Sequence, residues 1–332
     1  MEEIFSFIAP RAAMALPQKG TLQDMLFGGK ARQLVPLLAV PVRPQRPLPT
    51  LQAQHGRRGN SFLSLPTEIL SLVFDYIECI EDFICLGLTN EYLLTLAQPH
   101  LDDYYMSFMG TWSGKNIVCV GNKVQYDDHP ADLFSAEEPD TLGPLGGMVL
   151  LSHLADPSLS AVHDFVDPMR EAWGLLRRCK SRGKGKDSAL AARGHRLVPQ
   201  VDTYLPEDQP WILRNLTTKE FVRPEPIVME YIHDAHRYVW AVGFGEVVAL
   251  RTCWSSAPSN VRIDGKVGPP RGVWAGHRFD ITTLARHERD MDSVGWTDVS
   301  DEVAGEISEA WHHHFQLDKC KDLDDDYSSC DP

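Results

Sequence analysis

The chain has 332 residues, a hydrophobic fraction of 43% and a formal net charge of −14. This length is enough for one large core or two smaller ones, and the ordinary hydrophobic fraction predicts that most of the chain folds. The acidic balance argues against general nucleic-acid binding, because neutralising phosphates requires a clustered basic face.

The first 60 residues differ from the rest of the chain in charge and in proline content. They carry eight Lys/Arg against three acids, and seven prolines. Because proline fixes φ and removes a backbone donor, we predict that residues 1–60 form a disordered, basic, Pro-rich arm. The two glutamates at the N-terminus do not suit a signal peptide, and no apolar run approaches the roughly 20 residues of a membrane span.

The seven cysteines are scattered, and no two of them form a Cys-x-x-Cys pair. Together with the N-terminal composition, this pattern predicts free thiols in a reducing compartment. We therefore expect a cytoplasmic and/or nuclear protein that makes no contact with a membrane.

Residues 61–108 are rich in apolar side chains and predict a small helical module. Pro66 suits a first helical turn and Glu68 lies near its positive end. Five apolar residues then recur at helical spacing: Ile69, Leu70, Val73, Phe74 and Ile77. Asp82 can cap a second helix, which we expect to run through Leu96 and to end at Gln98-Pro99. Such a hairpin is apolar on too many sides to bury itself, so the rest of the chain or another protein must cover it.

Residues 109–317 predict a mixed α+β domain with a largely antiparallel sheet. Segments rich in β-branched and aromatic residues predict strands at 115–121, 225–232, 237–244, 246–254 and 278–284. Gly243 and Gly245 suggest a hairpin turn between two of these strands. Helices are predicted at 163–179 and from an N-cap at Ser300, where Val303, Ile307, Trp311 and Phe315 form one apolar face. A basic flexible insertion near 177–196 and an acidic disordered tail at 318–332 complete the predicted organisation.

Motifs of enzymes are missing from the sequence. There is no Gly-x-Ser-x-Gly elbow and no phosphate-binding loop, and the Gly-x-Gly at residue 243 lacks the third glycine of a dinucleotide fingerprint. The consecutive histidines 312–314 cannot all face one ion, because neighbouring helical residues point about 100° apart. We therefore predict that the chain is not an enzyme and has no catalytic residue, cofactor or metal site.

One internal repeat stands out. Gly110–Ile117 and Gly272–Phe279 both read Gly-x-Trp-x-Gly, followed by a polar pair and a strand. We favour two structural turns in which each tryptophan covers a sheet edge. The other interpretation is a pair of binding loops, with Trp112, Trp274 and Arg278 as candidate contacts to a target protein.

The segment LPTEILSLVFDYI (65–77), followed by DFICLGLT (82–89), resembles the F-box. In that family a Leu-Pro-x-Glu start and the helices after it form a three-helix module, which binds the Skp adaptor of cullin–RING ubiquitin ligases. The stretches from Gly110 and from Arg271 are also similar, more loosely, to segments of fungal F-box-containing proteins of unassigned substrate.

The resemblance implies a substrate-recognition subunit that takes part in protein ubiquitination. Residues 106–317 would hold an unknown target protein, and the mechanism would be proximity of target lysines to the transfer site rather than covalent chemistry. Two alternatives remain open: an adaptor-bound protein that acts outside ubiquitin ligation, and an uncharacterised enzyme in residues 109–317. The resemblance assigns adaptor binding to Leu65, Pro66, Ile69, Leu70, Val73, Phe83 and Ile84.

Overall fold

The computed structural model describes residues 2–44, 62–131, 133–134, 151, 203–227, 243–258, 268–290 and 295–311. Helices and mostly antiparallel strands occur together, which confirms the predicted α+β class. The chain divides into two compact units. The sheet unit comprises Met1–Val40, Thr111–Phe165 and Gln209–Pro332, and the helical unit comprises Pro41–Gly110 and Val166–Asp208.

The described elements follow one another along the chain in a mixed order. They are β1 (Phe5–Ala9), β2 (Met14–Gly20), α1 (Leu22–Leu26), α2 (Leu34–Leu38), α3 (Thr67–Asp75), α4 (Ile80–Thr89), α5 (Glu91–Phe108), β3 (Val118–Gly121), β4 (Trp211–Asn215), β5 (Glu220–Val222), α6 (Phe244–Thr252), β6 (Cys253–Trp254), β7 (Phe279–Thr283), α7 (Leu284–Arg289), β8 (Thr297–Asp298) and α8 (300–311).

The start of the chain is folded, so the predicted disordered arm is wrong for residues 2–44. Strand β1 is buried along its whole length and pairs with β2 and β3. The prolines lie where they cost little: Pro17 is in β2, at the edge of its sheet, and Pro36 is in the first turn of α2. The last part of the predicted arm, residues 45–60, lies outside the described residues.

The predicted strand at 246–254 is a helix over most of its length. Helix α6 ends at Thr252, and only Cys253 and Trp254 are in a strand. All its residues from Gly245 onward are buried, so the sequence shows no 3.6-residue period to distinguish helix from strand. The glycines expected in a hairpin turn instead begin this helix, where the Glu246 carboxylate accepts a hydrogen bond from the Gly243 N–H (3.0 Å).

The predicted strands at 115–121 and 278–284 are confirmed as β3 and β7. Helix α8 is confirmed too, and its Val303, Ile307 and Trp311 are buried. Its start differs slightly, because Ser300 is already helical: its N–H donates to the Asp298 carboxylate at 3.0 Å, and its hydroxyl accepts the Arg223 N–H at 2.8 Å. The predicted helix at 163–179 lies outside the described residues, as do residues 228–232 and 237–242 of two predicted strands, the basic insertion and the tail. The described ends of those two strands are not strands: residues 225–227 form a turn and Phe244 begins α6.

The described strands form two four-stranded sheets within the sheet unit, in the orders β2-β1-β3-β6 and β7-β4-β5-β8. Each sheet is antiparallel except at one edge, where β6 runs parallel to β3 and β8 runs parallel to β5. The predicted largely antiparallel pairing is therefore confirmed, although it is divided between two sheets.

The sheet unit contains the same arrangement twice. The hairpins β1–β2 and β4–β5 each close a four-residue turn, between Ala9 and Met14 and between Asn215 and Glu220. The last residue of each turn has a left-handed φ, 51° at Ala13 and 57° at Lys219. The strand that follows each tryptophan motif then pairs antiparallel with the first strand of its hairpin, β3 with β1 and β7 with β4. We call the part of the sheet unit from β1 to β3 the first half, and the part from β4 to β7 the second half.

The two tryptophan motifs face each other through reciprocal contacts. We call residues 111–117 and 273–279 the first and second W-turns. The Gly114 N–H donates to the Phe279 carbonyl, and the Gly276 N–H donates to the Ile117 carbonyl, both at 2.8 Å. Between them the equivalent residues Asn116 and Arg278 form an antiparallel bridge. Reciprocal bonds between equivalent positions are what an approximate two-fold axis produces.

Candidate functional site

Three helices, α3, α4 and α5, build the core of the helical unit. Tyr204 also belongs to this core, and its hydroxyl donates to the buried Asp102 carboxylate at 2.9 Å. The buried side chains are Leu70, Phe74, Phe83, Ile84, Leu88, Leu93, Leu94, Ala97, Leu101, Tyr105 and Tyr204.

The boundaries of these helices correct the predicted hairpin. The second predicted helix is two helices: α4 begins at Ile80, and α5 begins after Asn90, whose side chain accepts the Tyr92 N–H at 2.8 Å. Pro99 lies inside α5 instead of ending it. The proline removes one backbone hydrogen bond, while Leu94, Leu101 and Tyr105 on either side of it are buried in the core.

Helix α3 presents a second apolar face, which the core does not use. Ile69, Leu72 and Tyr76 recur at spacings of three and four residues and so share one face of the helix. Leu65 is exposed just before the first turn. The exposed fractions of Leu65, Ile69, Leu72 and Tyr76 are 40%, 44%, 49% and 84%. We call these four residues the α3 stripe.

The exposed apolar side chains are concentrated along this one segment. Eight large hydrophobic residues are exposed in the part of the chain that the structure describes, and six of them lie between Phe62 and Tyr76. They are the four stripe residues together with Phe62 and Leu63. Single exposed apolar residues are normal, but a concentration of them marks an interaction surface.

A cavity of about 250 Å³ opens beside α3. Its lining is mainly apolar: Phe74, Ile77, Glu78, Ile80, Phe83, His100, Leu101 and Tyr104. His100 joins α5 to α3, because its two ring nitrogens lie 3.0 Å from the Asp75 carboxylate and 3.0 Å from the Ser71 hydroxyl. Its ring also stacks on Phe74.

The seven residues assigned to adaptor binding divide into two groups. Leu65, Pro66 and Ile69 are exposed and Val73 is half-buried, so their side chains are available to a partner. The side chains of the other three, Leu70, Phe83 and Ile84, are buried in the helical core. A partner could not reach Leu70 or Ile84 without opening that core, so their assignment as adaptor-facing residues is wrong. Phe83 differs from them, because it also lines the cavity beside α3.

Sequence reasoning missed Leu72 and Tyr76, although the signal was present. Apolar residues at 65, 69, 72 and 76 have the same helical spacing as residues 70, 74 and 77, which are buried in the core or packed against it. A helix with two apolar faces predicts one for its own core and one for another surface. The prediction merged the two faces into one.

The three candidate contacts to a target protein also fall into two groups, one buried and one exposed. Trp112 and Trp274 are both buried, which excludes direct contact with a target and agrees with the structural interpretation of the two turns. The Trp274 indole N–H donates to the Glu220 carboxylate at 2.7 Å, and the Arg251 guanidinium lies 4.5 Å from its ring centroid. Arg278 is exposed and remains available.

Buried charges in the sheet unit bind one another. Arg214 forms a two-fold hydrogen-bonded pair with Asp280 (2.8 and 2.7 Å), and Arg251 bonds to Glu302 and Glu306. Burial and the nearby Arg214 lower the pKa of His287, which keeps its ring neutral at pH 7. The Arg214 pair joins β4 to β7, and the Arg251 bonds join α6 to α8.

Other features of the described residues are simpler. The four cysteines that the structure describes, Cys79, Cys85, Cys119 and Cys253, form no disulfide. In the ranges that the structure describes, no three His, Cys, Asp or Glu side chains are grouped to hold a metal ion, and no helix combines the length and apolarity needed to cross a membrane.

No family model matches the sequence, and no curated protein or solved structure is matched by it.

Proposed function

We propose that the chain is an F-box-type substrate-recognition subunit of a Skp–cullin–RING ubiquitin ligase. The helical unit would bind the Skp adaptor through the α3 stripe, and the sheet unit would bind the target protein. The observation that carries this proposal is the second apolar face of α3, which lies in the segment that resembles the F-box. No chemical step is assigned to this chain, because its role would be to hold the target near the ubiquitin-charged enzyme.

The α3 stripe is energetically suited to docking. Fully burying a large apolar side chain stabilises an association by roughly 1.5–3 kcal/mol. Leu65, Ile69 and Leu72 are already partly covered, so each can contribute about half of that amount. Leu65, Ile69 and Leu72 are the central contacts on this interpretation, with Pro66 and Val73 beside them. Part of the gain is offset by the entropy lost on association.

The test replaces two stripe residues with charged ones. The variant Ile69→Glu/Leu72→Glu should lose co-purification of the Skp adaptor, because it places two carboxylates in an apolar contact. Both side chains are about half exposed, so its melting temperature should stay close to that of the parent. The matched control is Val273→Glu, an equally apolar and exposed position in the sheet unit, which should bind the adaptor like the parent.

Two results would contradict the proposal. Adaptor binding by the double variant at the affinity of the parent would exclude the stripe as the docking face. A parent chain that binds no purified adaptor would exclude the function itself. Co-purification of the cullin through the adaptor separates ligase assembly from an adaptor-bound role outside ubiquitin ligation.

A further inference from the structure

The two W-turns and the two hairpin turns lie side by side in the sheet unit. Arg11 Nη1 in the first hairpin turn lies 3.4 Å from Asn116 Oδ1 in the first W-turn. The backbone N–H of Arg278 in the second W-turn donates to Thr217 Oγ1 in the second hairpin turn at 3.0 Å. The Asn116–Arg278 bridge joins the two pairs. We call residues 10–13, 111–116, 216–219 and 272–278 the turn cluster.

The turn cluster is basic in a chain that is otherwise acidic. Acids outnumber Lys and Arg by 46 to 32 in the whole chain, yet these four segments contain no Asp or Glu. The cluster carries four exposed cationic side chains: Arg11, Lys115, Lys219 and Arg278. The four cations therefore lie on segments that contact one another, and a concentration of positive charge is typical of sites that bind anionic partners.

Among the described residues, some other exposed cations of the sheet unit are engaged by carboxylates, whereas Lys19, Arg286 and Arg289 are not. Arg223 pairs with Asp298 at 2.8 Å and Arg271 pairs with Asp128 at 2.7 Å, although both arginines are well exposed. Within the described part of the chain, Lys115, Lys219 and Arg278 have no carboxylate within ion-pairing distance. The Glu220 carboxylate, which follows Lys219 in the chain, instead accepts hydrogen bonds from the Thr218 hydroxyl and the Trp274 indole N–H, at 2.6 and 2.7 Å.

The backbone of the cluster is fixed by hydrogen bonds. Asn215 Oδ1 accepts the N–H groups of Thr217 and Thr218 at 3.0 and 3.3 Å, which holds the turn that presents Lys219. The reciprocal bonds between the W-turns hold the segments that present Lys115 and Arg278. Cations on a fixed backbone lose less conformational entropy on binding than cations on a loose loop.

We propose that the turn cluster binds an acidic peptide, one rich in Asp, Glu or phosphorylated residues. The inference rests on the proposed function only in assigning that peptide to the target protein. Four cations on a chain of net charge −14 favour a short acidic segment over a nucleic acid, because strong nucleic-acid binding uses roughly six to ten phosphate contacts.

The experiment uses the full chain and two fluorescent peptides, one of alternating Glu and Ser and one of alternating Gln and Ser. Fluorescence anisotropy should show binding of the Glu peptide at low ionic strength and weaker binding as salt is added. The variant Lys219→Glu/Arg278→Glu should weaken that binding by roughly tenfold or more, because it places like charges opposite the peptide. The Gln peptide should not bind.

The matched control is Arg286→Glu/Arg289→Glu, which makes the same charge change at exposed positions on α7. It should bind the Glu peptide like the parent. Equal losses in the two variants, or equal binding of the two peptides, would overturn the proposal. Tighter binding of a single-stranded oligonucleotide would overturn it too, as would peptide binding that appears only after residues 318–332, with their six acids, are removed.

The two proposals fail separately. The variant Lys219→Glu/Arg278→Glu should keep adaptor binding, and Ile69→Glu/Leu72→Glu should keep peptide binding, because the two pairs of residues lie in different units. Loss of peptide binding in the stripe variant would contradict the assignment of the peptide site to the turn cluster.

Discussion

The two halves of the sheet unit share a backbone arrangement but fill it with different chemistry. One pair of equivalent cross-strand neighbours is Ile8 with Val118 in the first half and Arg214 with Asp280 in the second. Both pairs are buried. The same place in the fold therefore accepts either apolar packing or a hydrogen-bonded ion pair. The position specifies a buried, complementary pair and leaves the type of complementarity open.

The largest expected effect on stability comes from removing either of the two tryptophans of the W-turns, and we expect its size to differ between them. Replacing either Trp112 or Trp274 with Ala removes a buried ring and should lower the free energy of unfolding by roughly 3–5 kcal/mol. Trp274→Ala should cost more, because it also removes the ring beneath Arg251 and the N–H that bonds Glu220. Urea unfolding of both variants measures the difference. Variants that melt like the parent would contradict the structural role of the two turns.

The next effect tests the buried ion pair against its apolar counterpart. Asp280→Val should cost roughly 3–5 kcal/mol of unfolding free energy, because it leaves the Arg214 guanidinium buried without its main partner. The double variant Arg214→Ile/Asp280→Val copies the first half into the second, and it should be far closer to the parent in stability. Urea unfolding of the two variants gives the comparison. A double variant less stable than the single one would show that the halves are not interchangeable at this pair.

The smallest effect is a pH dependence that belongs to the second half. Because the pKa of His287 is lowered in the folded state from its ordinary 6.5, the unfolded chain takes up a proton first as the pH falls. Its contribution to stability is present above about pH 6.5 and is lost as the pH falls from there toward the folded pKa. Unfolding free energies measured against pH should show this loss in the parent and not in His287→Phe. A parallel decline in both proteins would assign the loss to carboxylates.

The sequence predicted an element correctly where its pattern was compatible with only one type of secondary structure. The β-branched runs of β3 and β7 and the four-residue apolar period of α8 identify these elements directly. Helix α6 could not be recognised, because burial on all sides removes the periodicity on which such a prediction depends. The prolines of the first 44 residues were misleading, because composition does not show that Pro17 lies at a sheet edge or that Pro36 lies in a first helical turn.

The functional surfaces were predicted only in part, and the reason is related. In the segment that resembles the F-box, the two apolar faces of α3 were interpreted as one, so buried Leu70 was assigned to the adaptor and exposed Leu72 was left out. The repeat of the tryptophan motif was visible in the sequence. Its reciprocal bonding was not, because hydrogen bonds between Gly114 and Phe279 link residues that are far apart along the chain.

Each sheet of the sheet unit is completed by the opposite half. Cys253, which follows the helix of the second half, lies parallel to Cys119 in the first, and Ala39 lies parallel to Ile281 in the second. Separating the halves would leave both sheets with an unpaired strand edge. Local opening in one half must therefore disturb the other, so the halves should unfold as one cooperative system and not as two independent ones.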